Sequence, residues 1–214
     1  MVDQYAERDR SGQAEAFDAI VARYDEAFPD KAGQLAAGEW LLDALPEGAA
    51  VLDLGSGTGV PTALQLSDGG LRVVGVDLSS GMVEQARVNV AAAEFHHMDL
   101  ADVARLGAEF AAVTAFFSLL MLPRAEFPAT LATIRSLLPP GGLFALAMVD
   151  GDADDVPLPF LGNTIRVSAY PRDELRALID AAGFELLDEA EYTYEPDAAD
   201  VHPEVQVFLH CRRR

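Results

Sequence analysis

Apolar positions recur along this chain in two spacings. Between residues 12 and 44 they fall at helical intervals, at Phe17, Ile20, Val21 and Tyr24, then Leu35, Trp40, Leu41 and Leu45, with an interruption near Pro29. Two helices are therefore predicted ahead of the first strand. After the turn LPEGA the run AVLDLG is short, continuous and apolar, as befits a strand buried on both faces. A helix is predicted from Thr58 to Leu66, stopped by SDGG, and RVVGVD then completes a βαβ unit. Ser79 or Ser80 can cap a helix running to about Val90. FHHMD, AAVTAFF and GLFALAMVD read as the third, fourth and fifth strands, with a helix from about Arg124 to Leu138 before the fifth. Pro171 to Ala182 is a further helix, closed by Gly183 as a left-handed cap. Two strands finish the chain, about Phe184 to Tyr194 and Val205 to Cys211, joined by the turn-rich EPDAADVHPE.

Strands that alternate with helices predict an α/β fold, a Rossmann-like, mostly parallel seven-stranded sheet with helices on both faces. The last two strands have no helix between them, so they pair antiparallel at one edge. The 214 residues, half of them hydrophobic, suffice for one core, and a single domain over 1–214 is expected. Residues 1–45 are expected to cover the site, and 150–170, DGDADDVPLPFLGNTIRVSAY, to form a substrate-side loop, because it is long for a mere connection.

Charge narrows the partners. The 35 acidic residues against 15 basic ones repel nucleic acid and anionic lipid, which leaves a small molecule as the expected partner. The segment MVDQYAERDRSGQAEAF has no apolar core, and Phe110 to Pro123 falls short of the ~20 residues of a bilayer span, so neither a secretory signal nor a membrane anchor is expected. Cys211 stands alone, which fits a reducing cytoplasm. A monomer and a homodimer are both compatible with the sequence.

In such a sheet the ligand lies at the carboxyl ends of the strands, beside the first one. There Gly55, Gly57 and Gly59 form G-x-G-x-G, a turn whose backbone a ligand can approach closely. Asp77 ends the second strand, where a carboxylate can accept the hydroxyls of an adenosine ribose, and Asp99 follows the third. This acidic rim repels a pyrophosphate and favours a sulfonium carrying an ammonium group.

VLDLGSGTG, VVGVDLSSGMVEQAR, HHMDL and LLPPGGLF, in this order and spacing, resemble the motifs of the class I S-adenosylmethionine-dependent methyltransferases over roughly residues 15–212. The resemblance implies strand order 3-2-1-4-5-7-6 and S-adenosylmethionine as cofactor. It implies that Asp53, Gly55, Ser56, Gly57, Thr58 and Gly59 face the methionine part, that Asp77 binds the ribose, and that Asp99 with the backbone of Leu100 reads the adenine edge. Leu78, Met82 and Met98 then flank the adenine, although Met82 also sits at core spacing on its helix. Phe116, Phe117 and Ser118 pass under the methyl donor, and Tyr24 covers the methionine end.

Methyl transfer is an in-line displacement in which positioning supplies most of the catalysis, and a base helps when the acceptor is a hydroxyl or a protonated amine. Small-molecule relatives often carry S-L-L-H-L after the fourth strand; here SLLML puts Met121 at the histidine's place. Ala111 likewise stands where relatives often have an aspartate at the strand's start. No Asn-Pro-Pro-aromatic tetrad follows that strand, and the acidic pair of metal-dependent catechol enzymes is absent, so no metal is expected. His96, His97 and His210 lie within strand patterns, where packed or surface histidines are common. His202, in the link between the last two strands, is the candidate base. Phe28, Phe160, Arg166 and Tyr170 are candidate acceptor-pocket residues. The expectation is a methyltransferase acting on oxygen or nitrogen of a small molecule. The alternatives are an NAD-type oxidoreductase, or a module that binds the methyl donor without turning it over.

Overall fold

The computed structural model describes residues 10–194 and 203–214. In chain order the elements are α1 (Ser11–Asp18), α2 (Val21–Ala27), α3 (Ala32–Ala44), β1 (Ala50–Leu54), α4 (Thr62–Asp68), β2 (Arg72–Asp77), α5 (Ser80–Asn89), β3 (Glu94–His97), β4 (Ala112–Phe116), α6 (Phe127–Leu137), β5 (Leu143–Val149), β6 (Ala153–Phe160), β7 (Asn163–Ala169), α7 (Arg172–Ala181), β8 (Phe184–Tyr194) and β9 (Glu204–Arg213). Seven strands form one sheet in the order β3-β2-β1-β4-β5-β9-β8. This is the predicted order, with β8 and β9 as the sixth and seventh strands. The four pairings that join β3 to β5 are parallel, while β9 runs antiparallel between β5 and β8, with Leu143 opposite Arg212 and Val149 opposite Gln206. The strand order reverses between β1 and β4, which opens the crevice used below.

Alternation along the strands divides the core between the two faces of the sheet. Leu52, Leu54, Val113, Ala115, Phe144 and Leu146 point to the side covered by Phe127, Leu131 and Ile134 of α6 and by Leu175 and Ile179 of α7. Val51, Val73, Ala112, Ala145 and Phe208 point to the opposite side, under Leu41 of α3, Leu66 of α4 and Val83 of α5. β1 and β4 are buried on both sides, as their continuous apolar runs require. Among the described residues no helix is long and apolar enough to cross a membrane.

Three local features differ from the sequence reading. The N-terminal region holds three helices rather than two, because the chain turns at Ala19 and Ile20, where the buried Ile20 points into the core. Of these, α1 and α2 lie over the strand ends, whereas α3 is a layer helix whose Gly33 fits against the ring of Phe208. Helix α4 begins at Thr62, after Pro61, rather than at Thr58, since residues 58 to 61 complete the glycine turn. The segment 150–170 is a two-stranded antiparallel ribbon, β6 against β7. Its tip, Leu161-Gly162, has φ of 47° and 84°, the pair of positive values that a two-residue hairpin turn needs.

Candidate active site

A cavity of about 420 Å³ opens over the carboxyl ends of β1, β2 and β4 and runs beneath α1, α2 and the ribbon. Its floor begins at the glycine turn. Gly55 and Ser56 donate their N–H groups to the carbonyl of Val76 (2.8 and 3.0 Å), which folds the turn back onto β2. Gly55, Gly57 and Gly59 all have positive φ, but they do different work. Gly55 and Gly57 border the cavity. Gly59 packs against Val90 and Phe95, where a Cβ would stand 3.0 and 3.3 Å away.

Asp77 stands beside this turn, held by both oxygens. Gly57 N–H donates to Oδ2 and Ser79 N–H to Oδ1, each at 2.9 Å. Burial raises the Asp77 pKa, and these two backbone donors act in the opposite direction. The residue lines the cavity, and each carboxylate oxygen keeps capacity for a further donor. Ser79 also caps α5, its Oγ accepting from Met82 N–H at 3.0 Å, so the cap and the anchored aspartate are one local structure.

At the next strand end Asp99 accepts from Ala101 N–H (2.8 Å) and caps the short 3-10 turn Leu100–Leu106. Arg10 bridges Asp99 and Glu126 across this end of the cavity. Opposite lie Phe117 and Ser118, which follow β4. Phe117 holds φ at 59°, an unusual value for a non-glycine residue and a sign of constraint at this corner. Ser118 Oγ is buried with no hydrogen-bond partner among the described residues, and its Cβ occupies the space a side chain on Gly55 would need.

The helices above are tied down by polar side chains. Thr58 Oγ1 donates to the Asp25 carboxylate of α2 (2.9 Å to Oδ2). Asp18 of α1 accepts from Gly81 N–H at 2.9 Å and from the hydroxyl of Ser79. On the ribbon side Gln13 Nε2 donates to Arg166 O (3.2 Å) and Arg23 to Leu161 O (3.3 Å). Tyr24 hangs from α2 into the cavity, with Lys31 Nζ 5.5 Å from its ring centroid. Burial, with Asp77 and Asp25 nearby, pushes the Tyr24 hydroxyl far above its ordinary pKa, so it stays protonated. Desolvation lowers the pKa of Lys31.

Of the residues proposed to touch the cofactor, the structure brings Tyr24, Gly55, Gly57, Asp77, Leu78, Met82, Asp99, Leu100, Phe117 and Ser118 to the cavity wall. Five others do not line it. Asp53 is buried in β1 and accepts from Thr114 Oγ1 at 2.7 Å. The Ser56 hydroxyl is buried beneath the turn, Thr58 is committed to Asp25, Gly59 is a packing glycine, and Met98 packs against the core. On the acceptor side Phe28 and Phe160 line the cavity, whereas Arg166 and Tyr170 do not. Along β7 Ile165 and Val167 face inward, so Arg166 points outward, where it pairs with Asp155 (3.0 Å). Tyr170 is buried under the Arg124 guanidinium, 4.6 Å from its ring centroid, and against Phe127. His202 lies outside the described residues. His97 Nε2 is 2.9 Å from Leu78 O, His96 is 2.9 Å from Glu94, and His210 stacks on Trp40 at 4.3 Å, and none of the three lines the cavity. Arg10, Lys31 and Glu204 line it without having carried any motif in the sequence.

The buried Asp53 has a measurable consequence. Desolvation raises its pKa from 3.8 to about 6, with the Thr114 hydroxyl acting the other way. The protonated form is favoured in the fold, so this stabilisation is present below the ordinary pKa and is lost as pH rises through about 6. Urea unfolding of the wild type should therefore lose up to about 3 kcal/mol between the two values, at ~1.4 kcal/mol per unit, and Asp53→Asn should flatten that slope. An unchanged slope in Asp53→Asn would assign the effect to other groups.

Comparison with known proteins agrees with this geometry. The profile of the methyltransferase domain family matches residues 21–189. No curated protein sequence matches the chain. Among solved structures, 1,6-didemethyltoxoflavin-N1-methyltransferase of Burkholderia thailandensis, with bound 1,6-didemethyltoxoflavin and S-adenosylhomocysteine, is 23% identical over 95% of this chain and 88% of its own, with a TM-score of 0.68. Magnesium protoporphyrin IX methyltransferase of Synechocystis PCC 6803, with bound S-adenosylhomocysteine, is 20% identical over 100% of this chain and 89% of its own (TM-score 0.62). The [4+2]-cyclase SpnF has the same fold, at 18% identity over 94% of both chains (TM-score 0.69). At these identities the solved structures establish the shared fold, while the family profile covers most of the chain. The chain belongs to the methyltransferase domain family.

Proposed function

We propose that this chain transfers the methyl group of S-adenosylmethionine to a small organic acceptor. The observation that carries the reading is the Asp77 carboxylate, pinned by Gly57 and Ser79 N–H groups at the wall of a cavity that also contains Asp99 and a bare glycine turn. The residues suit such a donor. A Cβ on Gly57 would meet only Tyr24, at 3.9 Å, so the turn is open toward the cavity, and Ser118 Oγ is a buried polar atom awaiting a partner. When bound, the donor supplies an electrophilic methyl group on a sulfonium.

In this reading Asp77 accepts the ribose hydroxyls. Asp99 and the backbone of Leu100 meet the adenine edge, with Leu78 and Met82 against the ring. Gly55, Gly57, Phe117 and Ser118 border the methionine part beneath Tyr24, and Lys31 balances its carboxylate. The acidic rim disfavours a pyrophosphate, which weighs against a dinucleotide cofactor. The test is transfer of labelled methyl from S-adenosylmethionine to small acceptors. Release of S-adenosylhomocysteine in step with acceptor methylation supports the proposal. Donor binding without turnover across a broad acceptor set would mark a binding module instead.

A further inference from the structure

Beyond Ser118 the cavity is walled by rings from four elements. Phe28 and Phe160 stack with centroids 5.5 Å apart at 16°, Phe17 meets Phe160 at 5.8 Å, and Phe28 reaches Tyr194 at 6.2 Å. Ile165 and Val167 of β7 extend the apolar lining. A surface of this kind receives a flat, uncharged body, because burying a charge against it is costly.

Four carboxylates border the cavity among the described residues, Asp30, Asp77, Asp99 and Glu204. Two of them, Asp77 and Asp99, are assigned to the methyl donor above, and Asp30 is exposed and accepts from Ala32 N–H at 3.0 Å. Glu204, the first residue of β9, stands on the aromatic side with Tyr194 and Gln206. Gln206 Nε2 donates to its Oε1 at 2.9 Å, which orients the group and leaves Oε2 for a ligand. Among the described residues the titratable groups sharing this part of the cavity are Tyr24 from α2, Asp30 and Lys31 ahead of α3, and Tyr194 from β8.

We propose that Glu204 is the general base of the reaction, and that the acceptor is a flat aromatic molecule methylated on a phenolic hydroxyl. The assignment rests on the methyl-donor reading above. A neutral amine attacks through its lone pair before losing a proton, and a carboxylate acceptor needs no base. A phenol, with a pKa near ~10, must lose its proton to attack well at neutral pH. Glu204 Oε2 takes that proton, and the acceptor oxygen forms the new C–O bond as the C–S bond breaks. The electron pair of that bond stays on sulfur as a neutral thioether, and the proton passes from Glu204 to solvent. Burial raises the Glu204 pKa, with the Gln206 bond opposing, and so makes the carboxylate a stronger base than an exposed one.

The experiment measures methyl transfer from S-adenosylmethionine to 2-naphthol, 2-naphthylamine and 4-nitrophenol by the wild type and by Glu204→Gln, with S-adenosylhomocysteine binding followed by calorimetry in both. Wild type is expected to methylate 2-naphthol, and Glu204→Gln to lower kcat on it by roughly 10²- to 10⁴-fold while donor-product affinity is unchanged. The deficit should shrink on 4-nitrophenol, which ionises without help at neutral pH. The wild-type rate on 2-naphthol should fall as pH drops through the Glu204 pKa, and this limb should vanish in the variant. Equal rates in both proteins, an equal deficit on both phenols, transfer to the amine alone, or no transfer to any probe while the donor product binds would each overturn the proposal. Loss of donor-product binding in the wild type would instead overturn the reading beneath it.

Discussion

Asp77→Ala is expected to weaken S-adenosylhomocysteine binding by roughly 10²- to 10⁴-fold in a calorimetric titration, while the wild type binds it and shows no heat with NADH. The magnitude follows from two hydrogen bonds to an ionised carboxylate, each about 1.5–3 kcal/mol, at 1.4 kcal/mol per tenfold in affinity. Structural damage adds to this, because the same carboxylate accepts from Gly57 and Ser79 N–H, so its removal frees the turn and the start of α5 together. Asp77→Asn keeps one acceptor oxygen and turns an amide toward one of these N–H donors, so its loss should lie between. A melting curve on each variant separates lost binding from lost fold. An affinity in Asp77→Ala within tenfold of the wild type would remove Asp77 from the site.

Gly55→Ala should produce the largest loss of stability among single substitutions in the turn. Its φ is +71°, and an added Cβ would stand 2.3 Å from Ser118 Cβ, with Ser118 Cα at 3.5 Å. The left-handed conformation costs an alanine about 1–2 kcal/mol, and overpacking against an atom fixed to the backbone about 1–3 kcal/mol more. For a chain of this size each kcal/mol is worth ~2–4 °C, so Tm should fall by roughly 4–20 °C. Adding Ser118→Gly removes the overlap and leaves the conformational cost, so the double variant should recover part of the loss. If it recovers nothing, the contact with Ser118 is not the cause.

The fold was legible because its strongest signals are continuous. The apolar runs of β1, β4 and β5 cover strands buried on both faces, and Ser79 and Gly183 mark helix ends by mechanisms that need little context. The ribbon was not legible, since Pro157 and Pro159 interrupt the β pattern of β6 and its turn places Leu161 at positive φ. The donor side was readable from motifs up to the point where depth matters. Asp53, Ser56, Thr58 and Gly59 carry the motif, yet strand alternation and the fold of the turn direct them into the protein rather than the cavity. The acceptor side carried no comparable signal. Its residues come singly from α1, α2, β6, β7, β8 and β9, and only the assembled fold brings Phe17, Phe160, Tyr194 and Glu204 together. Arg166 shows the limit plainly, because moving one position along β7 exchanges the cavity face for the outer one.

Donor chemistry at this cavity is read out by single-turnover transfer from methyl-labelled S-adenosylmethionine. Enzyme, donor and a broad panel of small hydroxyl, amine and carboxylate acceptors are mixed, and label in acceptor and in donor is counted over time. Label is expected to leave the donor and appear in an acceptor mole for mole with S-adenosylhomocysteine, and at donor concentrations that saturate the wild type Asp77→Ala should lower both sharply. Label that stays in the donor under saturating binding, across the whole panel, would contradict it.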